Sequence, residues 1–326
     1  MKTFLLSVIS LLVWPSWVVG QIKLKVAYPT TVGAIAVVWV AKEAKLFDKH
    51  GLDVELIYIA GSSRVVQAML ARDIPISEIA IPAVIQANLA GADLVMLAGP
   101  NHKPGQKIMV KPEIRRREDL KGKKLGISRF GTSDDFMIRY VLGQWNLQPE
   151  RDVALIQMGG SPETLAGLAA GAVDGGLLSS PLHLQAVKLG YPMLADFSTI
   201  GVDYQGAGVV TTRSFLRDAP DTMRRYLRAY VEGLHRFKTD KAFAAKVIGK
   251  YSRMTDPDAL EETYQHYAVK VMPRVPYPTI KGIQMVLDEM ATRAPKARGL
   301  APESFIDVGY LKELEQGGYI KKLYGD

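Results

Sequence analysis

From Ile22 onward the apolar positions fall into short β-branched runs separated by longer segments of helical period. "IKLKVAY", "LDVELIYI", "ISEIAI" and "DLVMLAG" read as strands. Helices are predicted between them over about 34–47, 63–72 and 83–90. Strand and helix in strict alternation are the pattern of a parallel sheet covered by helices. The next hundred residues repeat the pattern at an offset of 99. "VAYPTTVG" (26–33) falls on "LGISRFGT" (125–132), Asp53-Val54 on Asp152-Val153, and Gly61-Ser62 on Gly160-Ser161. Ala71 falls on Ala170, Pro82 on Pro181, Gln86-Ala87 on Gln185-Ala186, and Gly91 on Gly190. Glycines, a proline and a Gly-Ser pair punctuate a fold, so their recurrence marks two similar α/β lobes.

After residue 200 the pattern changes. "GAGVVTTRS" (206–214) reads as a strand, and helical segments follow at about 219–237, 240–251, 256–268, 279–292 and 308–315. The Gly-rich stretches "GPNHKPG" (99–105) and "TIGVDYQG" (199–206) are placed as the two crossings between lobes. The expected division is a leader at 1–20, a first lobe of 21–103 and 205–326, and a second lobe of 104–204. Ligands of open parallel sheets sit beyond the carboxyl ends of the strands. The repeat therefore names six loops that converge on one cleft: 29–33, 60–63 and 81–83 from the first lobe, and 128–133, 159–162 and 179–182 from the second.

The first twenty residues stand apart. Lys2 precedes an apolar run from Phe4 to Val13, then Pro15, Val18 and Gly20. That is the build of a secretory signal peptide with cleavage before Gln21, and the run is too short for a membrane span. Nothing later has about 18 unbroken apolar residues. The chain has no cysteine, which excludes disulfides, thiolate metal sites and a cysteine nucleophile. An exported, disulfide-free chain suits the periplasm. The formal charge is +8, read as a solubility surface with attraction of anionic ligands as the lesser role. No basic, aromatic-laced stripe marks a nucleic-acid partner; "IRRRED" is short and ends in acids.

Each candidate contact has a structural alternative. Arg129, Gly131, Thr132 and Ser133 form a strand-to-helix junction whose free N–H groups suit an anion; Thr132 or Ser133 could equally cap the helix, with Asp134 and Asp135 answering its dipole. Thr30 and Thr31 occupy the equivalent first-lobe loop, as ligand hydroxyls or as turn residues. Gly61-Ser62 and Gly160-Ser161 open helices, where serine is also a natural cap. Pro82 and Ser180 mark the third pair of loops. Tyr204 and Gln205 lie at the second crossing, and Tyr204 could pack the hinge instead. Trp39 and Trp145, inside helical patterns, are read as packing residues. The five histidines show no H-x-x-x-H or H-x-H spacing, so no metal is expected. Asp134 and Asp135, adjacent on a helix, diverge around its axis and make no acid–base pair. There is no G-x-S-x-G elbow.

"VGAIAVVWVAKEAKLFDKHGLDVELIYIAGSS" with "IQANLAGADLVMLAG", then "REDLKGKKLGISRFGTSDDFMIRYVL", "ETLAGLAAGAVDGGLLSSP" and "LAPESFIDVGYLKELEQGGYIKKLYG", resemble the periplasmic substrate-binding proteins of nitrate/sulfonate/taurine-type ABC importers. Close relatives of these bind thiamine-pyrimidine precursors. The resemblance covers the whole mature chain. It implies a type II periplasmic binding fold, two hinge crossings, a small-molecule ligand in the cleft and a membrane permease as partner, with no cofactor and no nucleic acid, in a monomer. The chain departs from that pattern before the third strand, where "ARDIPISEIA" places Pro75 and Glu78. The expected function is a non-catalytic solute-binding protein for a small polar, anionic organic molecule. The alternatives are an enzyme on the same fold, pyrimidine-synthase-like or chorismate-dehydratase-like, and a periplasmic ligand sensor. The leader argues against the enzymes, as does the absence of a cysteine-rich signature against the first of them.

Overall fold

Strand and helix alternate from the first residues of a computed structural model that describes residues 20–325. The predicted leader lies outside that range. The first half runs β1 (Ile22–Tyr28), α1 (Ala36–Glu43), α2 (Leu46–Lys49), β2 (Leu52–Tyr58), α3 (Ser62–Leu70), β3 (Ile76–Ala80), α4 (Ile81–Leu89) and β4 (Leu94–Ala98). The helix expected over 34–47 is broken: Lys45 adopts a left-handed conformation (φ 55°), which separates α1 from α2. The second half runs β5 (Lys107–Val110), β6 (Lys124–Ile127), α5 (Ser133–Gln144), β7 (Ala154–Gln157), α6 (Ser161–Ala169), β8 (Gly175–Leu178), α7 (Leu182–Lys188) and β9 (Met193–Asp196). The 99-residue offset holds at element level. It carries Ser62–Leu70 onto Ser161–Ala169 end for end, the last four residues of β1 onto β6, and the start of β4 onto that of β9.

The chain then forms β10 (Ala207–Thr212), α8 (Arg213–Asp218), α9 (Pro220–Thr239), α10 (Lys241–Ser252), α11 (Pro257–Tyr264, continued as a π-helical stretch over 265–271), α12 (Ile280–Ala291), α13 (Gly309–Gln316) and α14 (Tyr319–Tyr324). The strand expected over 206–214 stops at Thr212, whose hydroxyl accepts the Phe215 N–H at 3.0 Å and starts α8 instead.

Two five-stranded sheets result, in the orders β2-β1-β3-β10-β4 and β7-β6-β8-β5-β9. Both are mixed. β10 runs antiparallel to β3 and β4, and β5 antiparallel to β8 and β9. The reason is the path of the chain. β4 and β9 leave their sheets at the carboxyl ends of the parallel strands. The next strand enters the other sheet from that same end and must run back through it. Every parallel strand therefore ends at the junction between the lobes.

Each sheet is covered on both faces. One core joins β1 and β3 to α1, α9 and α10, with Trp39 fully buried and stacked on Tyr251 at 4.8 Å. A second runs from α3, α4 and α12 across the lobe junction to α5 and the second sheet. One polar side chain intrudes. Glu78, in the middle of β3, is 1% exposed among the tyrosines of α9, where its counterpart in the repeat is the buried Leu177. Among the described residues no helix is long and apolar enough to cross a membrane.

Candidate ligand-binding site

Loops after β1, β2, β6, β7 and β8, the end of β3 and the two crossings enclose a cavity of about 90 Å³ between the lobes. The first lobe contributes Pro29, Thr30, Ser62 and Ala80; the second contributes Ser128, Thr132, Ser133, Asp134, Ser161 and Ser179. The crossings form the back wall with Asn101, Lys103, Gln106 and Tyr204, and Tyr267 reaches in from the π-helical stretch after α11. The lobes are in contact across this cleft. Gly33 N–H donates to Ser180 O at 3.1 Å, Arg129 Nε to Ala60 O at 3.1 Å, and Ser180 Oγ to Glu262 Oε2 at 2.7 Å. Lys188 pairs with Asp256 at the rim. The cleft is shut by these contacts.

At the start of α5 the hydroxyls are ordered by their neighbours. Thr132 Oγ1 donates to Arg129 O at 2.6 Å, so Ser128 Oγ, 2.8 Å away, donates to Thr132. Neither Thr132 nor Ser133 caps the helix: Thr132 is the cap residue but its side chain turns back on the loop. Ser133 Oγ instead bonds the Tyr204 hydroxyl and accepts from Gln106 Nε2 at 2.8 Å. The two aspartates diverge around the helix. Asp135 accepts Gly131 N–H at 3.0 Å and pairs with Arg139 at 2.5 Å. Asp134 lines the cavity, with Oδ2 accepting Ser128 N–H at 3.1 Å and Oδ1 facing Gln106 Nε2 at 3.4 Å. Burial raises the Asp134 carboxyl above the usual range, against the lowering effect of the Ser128 hydrogen bonds. Burial likewise raises the hydroxyls of Tyr204 and Tyr267, which stay protonated.

Of the residues expected from sequence, Thr30, Ser62, Thr132, Ser133, Ser161 and Tyr204 lie in the cavity wall. The other eight lie elsewhere. Arg129 turns away: its stem packs over Gly61 and its guanidinium joins Ala60, so it bridges the lobes. It pairs with neither Asp134 nor Asp135. Gly131 (φ 76°) serves lobe contact too, since a Cβ there would stand 2.1 Å from Gln86 Oε1. Pro82 shares that outer groove with Gly131. Thr31 lines a separate groove at the rim with Tyr28, Tyr58 and Tyr251. Gly160 packs against Glu163 and Tyr58. Ser180 is fully buried, held by Glu262, and Gln205 braces the hinge by accepting Thr279 N–H at 2.7 Å.

Asn101, Gln106, Asp134 and Tyr267 were not singled out as ligand contacts from sequence. The first crossing does for Asn101 and Gln106 what the second does for Tyr204, so symmetry of the crossings was a usable signal. Nothing local pointed to Tyr267. Among the described residues no group of three or more histidines and acids could hold a metal ion.

Known proteins with similar chains or folds include a protein of Brucella abortus (strain 2308) named as a binding protein. It is 23% identical over 244 residues, 73% of this chain and 74% of the relative. The alkanesulfonate-binding protein SsuA from Xanthomonas axonopodis pv. citri superposes with a TM-score of 0.73 at 18% identity, covering 88% of this chain and 99% of its own. The periplasmic nitrate-binding protein NrtA from Synechocystis PCC 6803 gives a TM-score of 0.77 at 14% identity, with 91% and 89% covered. At those identities the structural likeness establishes the periplasmic binding protein fold. The model of the NMT1-like family matches residues 20–250, well over half of the sequence, and the chain belongs to that family.

Proposed function

We propose that this protein is the solute-binding component of an ABC importer, exported to the periplasm by a cleaved leader and closing over one small polar organic molecule. In this reading residues 21–103 and 205–326 move as one lobe against 104–204, and the closed form is delivered to a membrane permease. The observation that carries it is the cavity itself. It lies between two lobes of the same strand order and takes hydroxyls from both, Thr30 and Ser62 on one side and Thr132, Ser133 and Ser161 on the other. Such a site gains its hydrogen bonds only when the lobes close, so ligand binding and closure are one equilibrium. Among the described residues the wall carries no histidine, and its single carboxylate, Asp134, is engaged by Ser128 N–H and Gln106, which supports a binding rather than a catalytic role. The anionic class expected from Arg129 loses its main support, because that side chain stands outside the wall.

The test is small-angle scattering of the purified protein combined with a thermal-shift screen of small polar metabolites. A ligand that binds only the closed form raises the melting temperature and lowers the radius of gyration together. Turnover of a screened compound without a stable complex would refute the proposal in favour of an enzyme.

A further inference from the structure

We infer that His266 is an acid-sensitive latch on the cleft: with its imidazole neutral the two lobes pack together, and protonation of the ring drives them apart. The inference rests on the solute-binding reading above and adds regulation to it. His266 lies in the π-helical stretch after α11, in the segment assigned to the first lobe. This segment leans on the second lobe. Asp256 pairs with Lys188, Glu262 accepts from Ser180 Oγ at 2.7 Å, and Tyr267 enters the cavity wall. The His266 ring stands edge-on to that of Tyr267, with centroids 4.7 Å apart. Its Nε2 points to the first crossing, 3.7 Å from where a Cβ on Gly105 would stand. That nitrogen is buried and has no hydrogen-bond partner.

A bare imidazole nitrogen tolerates this place at the cost of one unmet acceptor. A protonated one is a buried, positively charged N–H with nothing to receive it, which costs far more. The surrounding charges also oppose the proton. Lys107 on β5, 3% exposed, acts on the ring from the second lobe, and Lys270 from its own stretch. Asp196 on β9 favours the proton, but it is already engaged by Lys107 at 3.7 Å and by the Ser198 N–H and hydroxyl at 2.9 and 2.6 Å. Glu262, earlier on α11, is held by Ser180. His183 on α7 also feels the ring, but its neighbours Ser179, Ser180 and Lys107 travel with it in the second lobe, so its own titration bears on folding and not on closure. Burial, then Lys107, lowers His266 to about 4. When the lobes part the ring meets water and returns to its ordinary value of 6.5. Closure is therefore intact above about pH 6.5 and is lost as pH falls towards 4. Between about pH 7 and about pH 5 the closing equilibrium weakens roughly twentyfold.

The experiment is small-angle scattering of the ligand-free natural protein, of His266→Gln and of Lys107→Met at about pH 7.5 and about pH 5, with circular dichroism to show that the helices persist. Nuclear magnetic resonance titration of the histidine rings accompanies it. The natural protein should expand in acid. His266→Gln, whose amide takes no proton, should keep one radius, and Lys107→Met should expand only at lower pH, because the cation facing the ring is gone. The His266 resonance, identified by its loss in the variant, should titrate well below 6.5. Equal expansion of the natural protein and His266→Gln, no expansion of the natural protein, or a His266 ring titrating at its ordinary value would overturn the inference. The thermal-shift screen separates that failure from failure of the binding reading. A metabolite that raises the melting temperature equally at both pH values leaves a solute-binding protein without the latch. No metabolite binding at either pH, together with a constant radius, would overturn both.

Discussion

Glu78 should make the protein lose stability as pH rises through neutrality. The carboxyl sits in the middle of β3, where the second lobe has Leu177. Its only partner is the Tyr230 hydroxyl, 3.4 Å from Oε2; Oε1 and the neighbouring Tyr226 hydroxyl are unpaired. Burial pushes the carboxyl up to about 8, from 4.5 in an exposed chain, against a small lowering by Tyr230. A raised acid is stable in the fold while protonated. Its favourable contribution is full below about pH 4.5, where both states hold the proton, and is lost as pH climbs towards 8. In that window the unfolded chain releases a proton that the fold retains, which lowers stability by about 1.4 kcal/mol per pH unit. By neutral pH the loss is roughly 3 kcal/mol, a large share of the ~5–15 kcal/mol that holds a typical domain together. Urea unfolding of the natural protein and of Glu78→Gln between about pH 5 and about pH 8 measures it. The amide cannot titrate, so the difference between the two free energies should move by about 1 kcal/mol per pH unit in favour of the variant. Parallel pH profiles would refute the reasoning and mean that the carboxyl is solvated or paired in solution.

Arg129→Ala should change ligand affinity only a few-fold while loosening closure, because its one polar contact is the inter-lobe bond to Ala60; a tenfold or larger loss would return Arg129 to the binding wall. Gly131→Ala should lower the unfolding free energy by about 1–2 kcal/mol, the cost of a left-handed backbone for alanine, while the exposed end of Gln86 swings away from the new methyl. Urea unfolding measures it, and an unchanged midpoint would refute it. Burial, with the charge of Lys107 behind it, lowers His183 to about 3, so this ring stays neutral in the fold. Its contribution is intact above about pH 6.5 and is lost as pH falls. Acid unfolding of His183→Gln should accordingly begin at lower pH than that of the natural protein, and coincident curves would count against it.

The sequence by itself determined the architecture. Gly61-Ser62 and Gly160-Ser161 open α3 and α6 at the same offset, and the β-branched runs between them became the strands of two sheets of one order. These features are local: a glycine turn, a serine before a helix and an apolar period act within a few residues and survive any tertiary context. The ends of the strands were legible for the same reason, and with them the cleft. Which residues line the cavity was not, because that depends on how two lobes about a hundred residues apart press together. At the junction before α5 the residue types looked alike as candidates, yet closure turned Arg129 onto Ala60 and Gly131 against Gln86, while Ser133 turned to Tyr204. Asp134 looked like a helix-dipole residue because only the enclosing wall, built from the crossings and from Tyr267, makes it a cavity carboxylate. Glu78 is the same lesson in the core. Its position in a strand was readable, but its protonation follows from α9, which lies some 150 residues further along the chain.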